Sequence, residues 1–78
     1  MTGNTPQALE RIFRSVLKVA PDTDVRALSA ESHGGWDSIA HLNLILAVEQ
    51  EFRFMMTPEE ATAVQSFRKM LDLVESRT

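Results

Sequence analysis

The sequence predicts an all-α fold, a four-helix bundle with a long loop between helices one and two and a short third helix. Three observations predict it: apolar residues recur at helical spacing, helix-capping residues stand where the predicted helices begin, and strand patterns are nearly absent. A chain of 78 residues is enough for one small domain. Residues 1–78 are therefore predicted to form a single domain, with a core that spans about 5–76.

The first helix is predicted to open at Asn4-Thr5-Pro6, where a capping side chain precedes a proline suited to the first turn. It is expected to end near Pro21. Its buried face has the spacing i, i+3, i+4, i+7 and i+8, at Leu9, Ile12, Phe13, Val16 and Leu17. Residues 22–36 then form a long loop, anchored by the apolar side chains of Val25 and Leu28.

The second predicted helix follows Asp37, a good N-cap residue, and is apolar around most of its circumference as far as Phe52. A helix of this kind is expected to be central and to pack on more than one side. The expected shared core consists of Leu42, Ile45, Leu46 and Phe52 together with Leu9, Phe13, Val16 and Phe67.

The last two helices have clear start signals. The segment Thr57-Pro58-Glu59-Glu60 has the pattern of a capping box with a proline at the first helical position, and it opens a short helix to about Val64. Ser66 then caps a final helix whose buried face begins at Phe67.

Composition narrows the function classes. The chain has no Cys, so it can form neither a disulfide nor a thiolate metal site, and two His without Cys disfavour zinc. A formal net charge of -3 disfavours binding to nucleic acid. No apolar segment has the length of a membrane span, and no leader pattern opens the chain. We therefore expect a soluble, unprocessed and monomeric cytoplasmic protein without a metal site.

The stretch "GGWDSI" places Ser38 at the first turn of the central helix, after Gly34 and Gly35. Free backbone N–H groups and the positive end of the helix dipole would stabilise a phosphate ester on this hydroxyl. An Asp-Ser pair at a helix start is nevertheless more often ordinary capping. From the residues alone, both interpretations of Ser38 stay open.

The order helix, long loop, "DSI", "AHLNLILAVEQEF", "TPEEA" and final helix resembles the carrier-protein family, the acyl and peptidyl carrier domains that bear 4′-phosphopantetheine. The attachment motif of that family is Asp-Ser-Leu, and here Asp37-Ser38-Ile39 changes only Leu to Ile. The resemblance implies that a phosphopantetheinyl transferase moves the arm from coenzyme A to Ser38. A loading enzyme and downstream biosynthetic enzymes would then act on the cargo, and this chain would be a non-catalytic carrier. The arm would also supply the thiol that a chain without Cys lacks.

The resemblance implies partner contacts around the serine and on the remaining acidic surface. The expected residues are Trp36, Ile39, Ala40, His41, Asn43, Glu49, Glu59 and Glu60. Carriers of primary fatty-acid synthesis have carboxylates two and five residues after the serine, where this chain has Ala40 and Asn43. This departure favours a specialised carrier with dedicated partners. Asp37 is expected to cap the helix and, by resemblance, to contact the transferase or its metal.

Other interpretations remain at four positions. Trp36 could flank the arm as a recognition residue, but a lone Trp more often covers the edge of the core, which we favour. Gly34 and Gly35 either allow the arm and the transferase to approach closely or simply permit the turn. His41 lies one turn from Ser38, and a Ser-His pair of this kind would suggest a serine hydrolase. No Gly-x-Ser-x-Gly elbow surrounds the serine, however. The main alternative is a small helical protein-interaction module without a prosthetic group, in which Ser38 only caps.

Overall fold

A computed structural model describes residues 5–77 of the chain. These residues form four α-helices: α1 Thr5–Leu17, α2 Ser38–Phe52, α3 Pro58–Ala63 and α4 Phe67–Arg77. Within this range the backbone forms no extended strand, which confirms the all-α prediction. None of the helices in the described part is both long and apolar enough to cross a membrane. The predicted cap at Asn4 lies outside the described residues.

The core lies between α1, α2, α4 and the loop that precedes α2. Phe13 of α1 is at its centre, where its ring meets Trp36 and Phe67 edge-on at centroid distances of 5.3 and 5.0 Å. Edge-to-face pairs of this kind stabilise a core beyond their buried area. The core cluster comprises Leu9, Phe13, Leu17, Val25, Trp36, Leu44, Ile45, Val48, Val64, Phe67, Met70 and Val74.

The predicted core of α2 is partly wrong. Leu44, Ile45 and Val48 are its buried residues, whereas Leu42 and Leu46 are 58% and 50% exposed. The reason is that the neighbouring elements cover only one side of this apolar helix. The short α3 has six residues and contributes no buried side chain, so it is too small to cover the outer side.

The long loop contains a structural element that the sequence did not predict, a single 3₁₀ turn at Val25–Ala27. Asp24 caps this turn by accepting a hydrogen bond from the Arg26 N–H at 3.2 Å. Val25 is buried, so its predicted role as an anchor is confirmed. Backbone hydrogen bonds then join the loop to the start of α4, from the Ala30 N–H to the Gln65 carbonyl at 2.8 Å and from the Phe67 N–H to the Leu28 carbonyl at 3.0 Å.

The predicted starts of α3 and α4 are confirmed. The Thr57 hydroxyl accepts the Glu60 N–H at 3.1 Å, while the Glu60 carboxylate accepts the Thr57 N–H at 2.9 Å, which completes the capping box. The Ser66 hydroxyl accepts the Lys69 N–H at 3.1 Å and so caps α4.

Two helices end at residues in the left-handed backbone conformation. Lys18 follows α1 with φ of 54°, and Arg53 follows α2 with φ of 59°. The Lys18 N–H bonds to the Arg14 carbonyl, and the Arg53 N–H bonds to the Glu49 carbonyl, both at 2.9 Å. Because glycine usually occupies such a position, no sequence signal marked the end of α1, which comes before the predicted Pro21.

Candidate functional site

Ser38 is the first residue of α2, and its side chain is exposed. Asp37 precedes it in an extended conformation and caps the helix, because its carboxylate accepts the Ala40 N–H at 2.9 Å. The Asp37 carbonyl also accepts the His41 N–H at 2.8 Å. The Ser38 hydroxyl makes no hydrogen bond within residues 5–77. Asp37 therefore caps α2, and the Ser38 hydroxyl is free to be modified.

An open cleft lies beside the serine, lined by Trp36, Asp37, Ser38, His41 and Gln65. Trp36 is only 5% exposed, and its ring packs against Phe13 in the core. The interpretation of Trp36 as a core residue is therefore confirmed. Little of the ring is accessible, and the partner contact expected at Trp36 stays a prediction.

His41 connects three parts of the structure. The Trp36 Nε1–H group donates a hydrogen bond to His41 Nδ1 at 2.9 Å, and His41 Nε2 lies 2.7 Å from the carbonyl oxygen of Ala61 in α3. Because the indole N–H can only donate, Nδ1 must accept, and the imidazole proton is therefore on Nε2, which donates to Ala61. The His41 and Trp36 rings also stack at 6.0 Å.

This arrangement argues against His41 as a catalytic base for Ser38. A catalytic base needs an imidazole nitrogen that can accept the proton of the serine hydroxyl. His41 uses Nδ1 for Trp36 and Nε2 for Ala61, so neither nitrogen is free for Ser38. His41 is also half-buried, and its role is to hold the elements around the serine together.

The two glycines before Trp36 do not have positive φ angles, so the turn itself does not require glycine. A methyl group added at Gly34 would meet no atom within 4 Å, whereas one at Gly35 would come within 3.0 Å of the His33 ring. Gly34 therefore leaves open space on the surface just before the site. At Gly35 the half-buried His33 side chain would have to move by a few tenths of an ångström to make room for a larger residue.

Two of the three acidic residues predicted to contact partners are engaged within the fold. The Glu49 carboxylate accepts the Met56 N–H at 2.9 Å, and this bond fixes the segment after α2. Glu60 accepts the Thr57 N–H and pairs with Arg77 of α4, and these two interactions lower the pKa of its carboxyl group. Glu59 is exposed, and its carboxylate has no partner among the described residues.

An apolar stripe runs along the outer side of α2, beginning next to the serine. It consists of Ile39, Leu42 and Leu46, and Ile39 is the most exposed at 72%. The polar position between them, Asn43, is exposed, and Ala40 is half-buried. Sequence reasoning included Ile39 but assigned Leu42 and Leu46 to the core. The signal that identifies them is the excess of apolar positions in α2 over what one buried face requires.

Comparison with known proteins gives relatives of one kind. Over 65 residues, 83% of this chain, it is 31% identical to acyl carrier protein 4, chloroplastic, of Cuphea lanceolata. Over 64 residues it is 30% identical to acyl carrier proteins 1 and 3 of the same species, both also chloroplastic. The chain is similar to acyl carrier proteins over most of its length, which supports an acyl-carrier-protein-like family. This acyl-carrier-like chain spans about half the length of the curated relatives it matches, from 45% to 47%.

No family model matches the acyl-carrier-like chain, and no solved structure matches it. The site nevertheless fits the phosphate ester that the carrier resemblance implies. Ser38 offers an exposed hydroxyl at the positive end of α2, with no hydrogen-bond partner among the described residues, and the first turn of that helix contains no acidic side chain. The open space at Gly34 leaves room for an approaching enzyme.

Proposed function

We propose that this chain is an acyl carrier that holds its cargo as a thioester on 4′-phosphopantetheine joined to the Ser38 hydroxyl. Acyl carrier proteins in general bear this group and are non-catalytic carriers. One observation at the start of α2 carries the proposal. Asp37 caps the helix, so the exposed Ser38 hydroxyl is not used for capping and has no hydrogen-bond partner among the described residues. When bound, the group supplies the terminal thiol that a chain without Cys lacks.

The residues around Ser38 have distinct roles in this proposal. Asp37 holds the first turn of α2 and thereby fixes the direction of the serine. The positive end of the α2 dipole stabilises the phosphate that is attached there. A tethered substrate then has a high effective concentration for any enzyme that docks beside it, which is the physical advantage of a carrier.

The proposed partners are a phosphopantetheinyl transferase, an enzyme that loads acyl or aminoacyl groups, and downstream biosynthetic enzymes. Each of them must reach Ser38 and therefore cover the surface next to it. The apolar stripe of Ile39, Leu42 and Leu46 is part of that surface, and Asn43 and Glu59 provide exposed polar groups. Exposed apolar stripes of this kind mark interaction surfaces on small proteins.

We also propose that these enzymes belong to a specialised pathway. Ala40 and Asn43 stand where carriers of primary fatty-acid synthesis have carboxylates, and Glu49 and Glu60 are engaged by Met56 and Arg77. The helix that begins at Ser38 therefore lacks two carboxylates that would attract an enzyme with a basic docking surface. The cytoplasm remains the compartment we propose, although the relatives are named chloroplastic.

The second candidate function is a helical protein-interaction module without a prosthetic group, and the exposed stripe on α2 favours it as well. The two candidates differ in one measurable property. With coenzyme A and a broad-specificity phosphopantetheinyl transferase, a carrier gains one phosphopantetheine unit in its intact mass, and an interaction module gains none.

A further inference from the structure

Two hydrogen bonds join Trp36, His41 and Ala61 beside Ser38. Trp36 and His41 both line the cleft beside the serine, and of the two Trp36 is the more deeply buried. Behind Trp36 the core is filled by Phe13, and behind Phe13 by Phe67, with successive rings in edge-to-face contact. A chain that enters the core at this point would have to displace the buried indole.

His41 closes the gap between α2 and α3 in the same place. Its Nε2–H group bonds to the Ala61 carbonyl at 2.7 Å, and its Nδ1 holds the Trp36 indole at 2.9 Å. Separating α3 from α2 would break the first bond, and moving Trp36 would break the second. Both bonds are part-buried, so a broken one would leave a polar group without its partner.

We propose that His41 is a specificity-determining residue that keeps the cargo outside the helix bundle, so that this carrier serves acyl groups short or polar enough to remain stable in water. The inference rests on the proposed function. The five-residue spacing from Trp36 to His41 places the hydrogen bond between them within one helical turn of Ser38. A long apolar chain gains nothing from this interior and would stay in contact with solvent.

The test compares acetyl and octanoyl forms of the carrier, made with acetyl-coenzyme A or octanoyl-coenzyme A and a phosphopantetheinyl transferase. Trp36 is the only Trp in the chain, so its fluorescence emission reports directly on the wall of the cleft. Intact mass first establishes that the group is attached. A protein that takes up no acyl-phosphopantetheine would refute the proposed function. The Trp36 fluorescence of the modified protein tests the present inference alone.

In the unsubstituted protein we expect the same Trp36 emission maximum and intensity for the acetyl and octanoyl forms. In the His41→Ala variant, which lacks both hydrogen bonds, we expect the octanoyl form to differ from the acetyl form. The matched control is Gln50→Ala, an exposed position on the same helix, which should behave as the unsubstituted protein.

An emission change that depends on chain length in the unsubstituted protein would overturn the inference, because the cargo would then reach Trp36 with His41 in place. Identical emission of both forms in His41→Ala would overturn the role of His41 as the residue that closes the bundle. If His41→Ala does not fold, the comparison in the unsubstituted protein still decides whether the cargo enters. In the unmodified protein, the NMR chemical shifts of the His41 ring nitrogens should identify the Nε2–H tautomer. The Nδ1–H tautomer would contradict the hydrogen bonds of His41 to Trp36 and Ala61.

Discussion

Leu44 and Leu46 lie two residues apart in α2 and on opposite sides of the helix: Leu44 is completely buried, and half of Leu46 is exposed. The side with Leu44 packs with α1 and α4 in the core cluster. The side with Leu46 faces outward, on the same stripe as Ile39 next to Ser38. One helix therefore both stabilises the bundle and presents an apolar surface beside the proposed attachment site.

The two leucines should differ in their effect on stability. Leu44→Ala should lower the free energy of unfolding by about 2–5 kcal/mol, because it removes a fully buried side chain and leaves a cavity. Leu46→Ala should cost clearly less, since much of its side chain is already in contact with water. Denaturant unfolding of both variants measures the difference. An equal cost, or a larger one for Leu46→Ala, would contradict the orientation of α2.

Asp37 should be the capping residue in solution. Asp37→Ala should lower the free energy of unfolding by about 1 kcal/mol, because the Ala40 N–H loses its partner. Asp37→Asn keeps an acceptor oxygen and serves as the matched control, with a smaller loss. Ser38→Ala should leave stability nearly unchanged. If Ser38→Ala lowered the free energy of unfolding as much as Asp37→Ala, Ser38 would also cap the helix, which contradicts the prediction.

Glu60 should make stability depend on pH. The Thr57 N–H and the Arg77 side chain lower its pKa in the folded state below the ordinary value of 4.5. Since the folded state favours the ionised carboxylate, its stabilising effect is fully present above about 4.5 and is lost as the pH falls through the lowered value. Glu60→Gln should therefore be less stable than the unsubstituted protein near neutral pH, and the difference should shrink in acid.

The matched control for this pH dependence is Glu59→Gln, since Glu59 is adjacent in α3 but exposed and without a partner in the described range. Thermal unfolding of both variants across the acidic range measures the effect. A Glu60→Gln defect that is independent of pH, or one that Glu59→Gln reproduces, would show that the pair with Arg77 does not form.

Docking to housekeeping enzymes should be weak. We expect slow elongation of the malonyl- or acyl-loaded carrier by a housekeeping ketosynthase, with docking weakened up to about tenfold for two missing exposed ion pairs. The double variant Ala40→Asp, Asn43→Glu should recover part of the turnover. Turnover equal to that of the enzyme's own carrier would refute specialisation.

Most of the fold could be predicted because its signals are local. The capping box at Thr57, the cap at Asp37 and the spacing from Leu9 to Leu17 each depend on a few neighbouring residues. The outward orientation of Leu42 and Leu46 could not be predicted in this way. A helix that is apolar all round does not reveal which side its neighbours cover, and that depends on the small size of α3.

The cap at Asp37 could be predicted from sequence and is confirmed, and the attachment site at Ser38 stays a prediction. The surroundings of Ser38 depend on contacts between distant segments. The bond from His41 to Ala61 spans 20 residues, and the pair of Glu60 with Arg77 spans 17. No motif announces either contact. The count of acidic residues therefore overestimated how many carboxylates are free to contact partners. The closeness of His41 to Ser38 in sequence likewise suggested a Ser-His pair, whereas His41 bonds to Trp36 and Ala61.

The most direct test of the carrier function is the intact mass of the protein after incubation with coenzyme A and a phosphopantetheinyl transferase, followed by peptide mapping. We expect one phosphopantetheine unit on the peptide that contains Ser38. Ser15→Ala, an exposed serine on α1, should be modified as fully as the unsubstituted protein, and Ser38→Ala should not be modified at all. An unsubstituted protein that takes up no group, or a Ser38→Ala variant that is labelled equally, would contradict the account.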